Sequence, residues 1–130
     1  MQKLLKFTLI IAGCALASNA LADSRVDSVW KCELKEGKEI AAVQAANGEW
    51  LKHVNGAIDV GEITSATAEA IVGKQGYFYF IDSYPSLADW STAQEYVDSE
   101  AGTAAMASIT SQFEDLFECG SNELFRFTPN

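Results

Sequence analysis

A single histidine, His53, stands in a chain of 130 residues. An imidazole titrates near neutrality and serves either as a general base or as an axial haem ligand. Trp50 precedes it by three residues and Asn47 by six, so all three fall on one predicted helix. A plain helix-margin histidine also suits this position, because positive charge near a helix C-terminus complements the dipole. Asp82 closes the aromatic run Tyr77-Phe78-Tyr79-Phe80-Ile81 and is followed by Ser83 and Tyr84. A carboxylate there can accept a ligand's hydrogen bond at a pocket mouth or act as a base. It can equally accept backbone N–H groups in the following turn. Trp30, Tyr77 and Tyr79 offer rings to an aromatic ligand, with core or dimer packing as their other use. The candidate ligand-binding residues are therefore His53, Asp82, Trp50, Tyr77 and Tyr79. No catalytic residue is assigned, and whether the chain is an enzyme stays open.

The remaining polar residues carry no diagnostic spacing. Glu95, Asp98, Glu100, Glu114, Asp115 and Glu118 read as solvated helix faces and lack the pattern of a calcium loop. There is no C-x-x-C pair, and one histidine leaves too few soft ligands for zinc, so no metal site is expected. No phosphate-binding glycine loop, nucleophile elbow or metalloprotease motif occurs. No cofactor is called for by the residues themselves. The formal charge of −9 repels phosphates and anionic lipid, which argues against nucleic-acid and membrane-surface partners.

The first 22 residues have the three parts of a secretory leader: Lys3 and Lys6, an uncharged stretch over 7–16, and Ala20-Leu21-Ala22 at its end. The uncharged stretch is too short for a hydrocarbon core that needs roughly 20 residues. Cleavage after Ala22 leaves one domain over 23–130, secreted or periplasmic, with no later segment apolar enough to span a bilayer. Losing two lysines and no acid takes its charge from −9 to −11. An alternative is lipidation at Cys14, since Ile11-Ala12-Gly13-Cys14 fits the bacterial lipoprotein pattern. In the mature domain Cys32 and Cys119 meet an oxidising compartment and are expected to pair; two unpaired buried thiols are the other reading.

The elements that must position these residues follow from periodicity. Alternation over 29–34 places Trp30, Cys32 and Leu34 on one face of a strand. Residues 39–54 carry an apolar helical stripe broken only by Asn47, and Asn55-Gly56 reads as its stop. An irregular strand within 58–72, a glycine turn over 73–76 and a strand over 77–82 form a hairpin. Ser86 with Asp89 reads as a capping box for a second helical region, with a break near 99–102 and helix resuming to Gly120. Residues 123–128 make the last strand. The order βαββαβ defines an α+β, ferredoxin-like fold, a four-stranded antiparallel sheet with helices on one face. In its usual strand order the first and last strands are antiparallel neighbours, which brings Cys32 and Cys119 together.

Both faces of the Tyr77–Ile81 strand are apolar, and helices cover only one. The second face calls for a partner, most simply a second copy of the chain. With this order, the Tyr/Phe-rich strand, the following Asp82-Ser83-Tyr84-Pro85-Ser86-Leu87 and the Trp90 helix, the mature chain resembles the dimeric α/β-barrel superfamily. The resemblance implies a homodimer through the sheet and a pocket between sheet and helices. It also implies a range of roles: small monooxygenases acting on aromatic substrates, haem-handling enzymes and binding proteins. No catalytic motif of any one family accompanies it, and fold does not choose among these. The expected function is an exported domain binding a small apolar ligand or a partner. Its alternatives are a cofactor-independent monooxygenase-like enzyme and a haem-binding protein using His53.

Overall fold

The structure, a computed structural model, describes residues 24–128. The leader and Cys14 lie outside the described residues. Strand β1 spans Val26–Leu34, helix α1 Ile40–Ala57, β2 Thr64–Glu69, β3 Phe78–Tyr84, α2 Leu87–Asp98, α3 Glu100–Ala105, α4 Ala107–Leu116 and β4 Phe117–Arg126. The strands form one antiparallel sheet in the order β2-β3-β1-β4, the expected ferredoxin-like topology.

Register decides which residues share a face. Val26, Ser28, Trp30 and Cys32 pair with Tyr84, Asp82, Phe80 and Phe78, and all eight point toward the helices. Val29, Lys31, Tyr79 and Ile81 point to the face that the helices leave open. Burial follows: Phe78, Phe80, Asp82 and Tyr84 are buried, whereas Tyr79, Ile81 and Ser83 are half-buried. Two apolar clusters fill the space between sheet and helices. One gathers Cys32, Val43, Ala46, Phe78, Phe80 and Leu116; the other gathers Val54, Ile63, Tyr84, Ala93 and Met106.

Several local readings hold and several need correction. Ser86 caps α2, accepting from the Asp89 N–H at 3.1 Å while its hydroxyl donates to the Asp89 carboxylate at 2.7 Å. The break falls at Ser99, whose hydroxyl caps α3 by accepting from the Gly102 N–H at 2.9 Å. A Cβ on Gly102 would overlap the Tyr96 carbonyl oxygen, so glycine is what lets α3 turn so closely on α2. Asn55-Gly56, in contrast, does not stop α1, which continues to Ala57. The Asn55 amide is used elsewhere: it donates to the Ile63 carbonyl at 2.8 Å and accepts the Ile63 N–H at 2.9 Å, locking the entry to β2. Ile71 and Val72 lie fully exposed in the loop before β3, outside the strand.

The last strand starts six residues earlier than its composition suggests. Cys119-Gly120-Ser121-Asn122 has turn-forming residue types but lies within the strand, because β1 pairs with Cys119, Ser121 and Asn122 while Gly120 is left unpaired at a register shift between Lys31 and Cys32. Cys119 therefore lies inside β4, directly opposite Cys32, and the two are disulfide-bonded across the sheet. Among the described residues no helix is long and apolar enough to cross a membrane.

Candidate functional site

A cavity of about 400 Å³ lies between the sheet and the helices. Its floor is the helix-facing side of two central strands, with Ser28 and Trp30 from β1 and Phe80, Asp82 and Tyr84 from β3. Asn47 and Trp50, one helical turn apart, project from α1. The opposite wall is Ala93, Gln94, Val97 and Asp98 of α2, with Phe113 and Phe117 closing the end. The walls are chiefly aromatic and aliphatic, and a few polar groups converge on the floor, the usual make-up of a small-molecule pocket.

Asp82 is the centre of that polar group. It is 7 % exposed, and its Oδ1 accepts the Ser65 hydroxyl proton at 2.5 Å. The Asn47 amide donates to the Ser65 oxygen at 2.8 Å, so a chain Asn47–Ser65–Asp82 runs from helix through β2 to β3. Burial pushes the Asp82 carboxyl up to about 6, against the Ser65 hydrogen bond, which pulls it down. Burial, assisted by the Asp82 charge, also pushes the neighbouring Tyr84 phenol upward. Asp82 has no salt-bridge partner among the described residues. Ser28, the cross-strand partner of Asp82, donates to the Asn122 side-chain carbonyl at 3.0 Å, tying the floor to β4.

Of the five candidate ligand-binding residues, the structure brings Asp82 and Trp50 together in this cavity. His53 stands elsewhere, on an open groove with Glu49, Lys52 and Ile109. Its Nε2 is 2.8 Å from the Tyr96 hydroxyl, which joins α1 to α2. Tyr79 lies on the helix-free face, and Tyr77 stacks under Lys31 with the ammonium 3.9 Å from its ring centre. These three share no site with Asp82. Haem ligation by the sole histidine does not fit this arrangement, since His53 is outside the cavity and its Nε2 is engaged by Tyr96. Among the described residues no group of three His, Cys, Asp or Glu side chains is placed to hold a metal ion.

Asn47, Ser65, Ser28 and Tyr84 join the site without being marked out as ligand-binding by sequence. Asn47 carries a signal, being the one polar interruption of the α1 stripe. Ser65, on β2 seventeen residues before Asp82, carries none, because only the β2–β3 register places it opposite that carboxyl.

No family model matches the chain, and no curated protein matches it. Solved structures do resemble it. A conserved protein of unknown function from Bacteroides thetaiotaomicron aligns with a TM-score of 0.50 at 15 % identity, covering 82 % of this chain and 100 % of that one. A protein from Shewanella oneidensis aligns at 0.51 and 14 % identity, covering 81 % and 92 %. A cofactor-independent oxygenase from Streptomyces nogalater aligns at 0.49 and 10 % identity, covering 82 % and 94 %. The first two share the fold of this chain over nearly all the described residues. The architecture is that of a ferredoxin-like protomer, as the strand order states independently.

Proposed function

We propose that this is an exported binding domain whose cavity takes a small, mainly aromatic ligand with a hydrogen-bond donor seated on Asp82. The observation that carries the reading is the buried carboxyl, held by Ser65 and Asn47, on the floor of a mainly apolar cavity lined by two tryptophans. A volume of about 400 Å³ suits a compound of one or two rings. The test is a screen of one- and two-ring aromatics followed by NMR. Hits should shift the indole N–H signals of Trp30 and Trp50, and Trp50→Ala should weaken them at least tenfold. Hits that leave both indoles unmoved, or no hits at all, would refute the pocket.

A second reading rests on one further observation, the elevated Asp82 carboxyl. A base with a pKa of about 6 is ionised at neutral pH yet still basic enough to take a proton from an acidic phenol or quinol. In that case the domain is a cofactor-independent monooxygenase-like enzyme. Oxygen uptake with quinol substrates that is lost in Asp82→Asn supports it; uptake that survives the substitution removes Asp82 from the chemistry.

We also propose a homodimer through the helix-free face, where Val29, Tyr79, Ile81 and Phe125 lie together and Phe125 is 45 % exposed. Light scattering on size-exclusion eluates should give twice the chain mass, and Ile81→Lys should halve it. Export is proposed on the leader pattern together with the cross-strand disulfide. Intact mass of the secreted product distinguishes a cut after Ala22 from a lipidated Cys14.

A further inference from the structure

We infer that the ligand of the Asp82 cavity is an organic cation, an aromatic or aryl-alkyl compound bearing a protonated amine. The inference rests on the proposed binding function and specifies the chemistry of that same site. Its first support is the charge of the lining: Asp82 and Asp98 are acidic, and among the described residues no lysine, arginine or histidine lines the cavity. An anionic ligand would meet two carboxylates and no counter-charge.

The second support is the state of Asp82 itself. It is almost wholly buried, its recorded partner is a neutral hydroxyl, and no cation pairs with it among the described residues. A buried carboxylate without a counter-ion is costly, and a ligand ammonium would supply the missing charge. A neutral donor would satisfy the hydrogen bond but leave the charge uncompensated. Third, the surroundings suit a cation, since Trp30, Trp50 and Phe80 line the same space. Aromatic rings attract ammonium groups through their quadrupole, most strongly where water is excluded. Finally, the chain carries a net charge of −9, so its long-range field gathers cations and repels anions.

The experiment compares three probes with one ring each and closely similar chains: 2-phenylethylamine, 2-phenylethanol and phenylacetate. Binding to the mature chain is measured at pH 7.5 by calorimetry and by quenching of tryptophan fluorescence. The amine should bind at least tenfold more tightly than the alcohol, and phenylacetate should not bind. In Asp82→Asn the amine should fall to the level of the alcohol, whereas Glu95→Gln, an exposed carboxylate on α2 outside the cavity lining, should change the amine by no more than about threefold. An alcohol that binds as tightly as the amine overturns the charge assignment and leaves the pocket standing. An amine preference that survives Asp82→Asn overturns it too, by tracing the preference to the general field. Absence of binding by all three overturns both the cation and the pocket.

Discussion

Replacing Asp82 by asparagine should make the protein more stable at neutral pH and leave its stability unchanged in acid. The folded carboxyl titrates at about 6 against an ordinary value of 3.8. Below the lower value both folded and unfolded chains hold the proton, and burial of a neutral acid costs little. Between the two values the folded chain keeps a proton that the unfolded chain has released, so stability falls as pH rises through this window. Above the upper value both are ionised and the whole penalty is present. At about 1.4 kcal/mol per pH unit, a displacement of this size is worth about 3 kcal/mol. The asparagine side chain would keep an oxygen to accept from Ser65 and lose the charge. Urea unfolding of wild type and Asp82→Asn, followed by tryptophan fluorescence from pH 3.5 to 8, reads the difference directly. With a slope of about 2 kcal/mol per molar urea, the variant's midpoint should lie about 1.5 M higher at pH 8 and coincide with wild type near pH 3.5. Taking the difference between the two proteins cancels every other titrating group. A variant that is equally stable or weaker at pH 8 would refute the account of Asp82 as a desolvated, unpaired carboxylate. Confirmation would show stability given up at this one carboxyl, the pattern that functional sites commonly have.

Three other perturbations bear on the frame that holds the cavity. Replacing Cys32 and Cys119 together by serine should destabilise the chain by about 4–5 kcal/mol, the chain-entropy value for a bridge across 87 residues; thermal melts of the reduced wild type should agree with the double variant. Asn55→Ala removes both hydrogen bonds to Ile63 and should cost about 2 kcal/mol in denaturant unfolding, with Gln recovering little because its longer side chain misplaces the amide. Gly102→Ala forces a methyl onto the Tyr96 carbonyl and should cost about 3 kcal/mol, seen as a lowered melting temperature, whereas Gly48→Ala on α1 meets open space and should be neutral or stabilising.

What is legible in the sequence and what is not separates along the range of the forces involved. The β3 strand is plain because its alternation of ring types is local, and so is the Ser86 cap, where one hydroxyl and one carboxylate three residues on do the work. Asp82 stands out for the same reason, as a carboxylate ending an aromatic run. The start of β4 is hidden, since serine and asparagine are paired there only through the ladder to β1, and Gly120 is passed over by a shift in register. Asn55 reads with neighbouring Gly56 as a helix stop, yet its amide is spent on Ile63, a tertiary contact no local rule reports. His53 and the two tyrosines attract by residue type alone; helix phase sends His53 to another groove, register turns Tyr79 to the helix-free face, and Tyr77 precedes β3 and packs under Lys31. Ser65 illustrates the same limit from the other side, a residue of ordinary type that matters because of what stands opposite it.

The pairing of β1 with β4 has a consequence for the path of the chain as a whole. Val26 lies opposite Arg126, so β1 is entered and β4 is left at the same end of two neighbouring strands, and the Cys32–Cys119 bridge already joins those strands further along. The backbone is thus a loop closed almost on itself. A cut in the exposed 71–76 segment would separate two pieces of the polypeptide that remain one covalent molecule, each holding half of the cavity floor. Only reduction would let them part, which makes the oxidised state the guarantor that Ser28 and Trp30 stay beside Phe80 and Asp82.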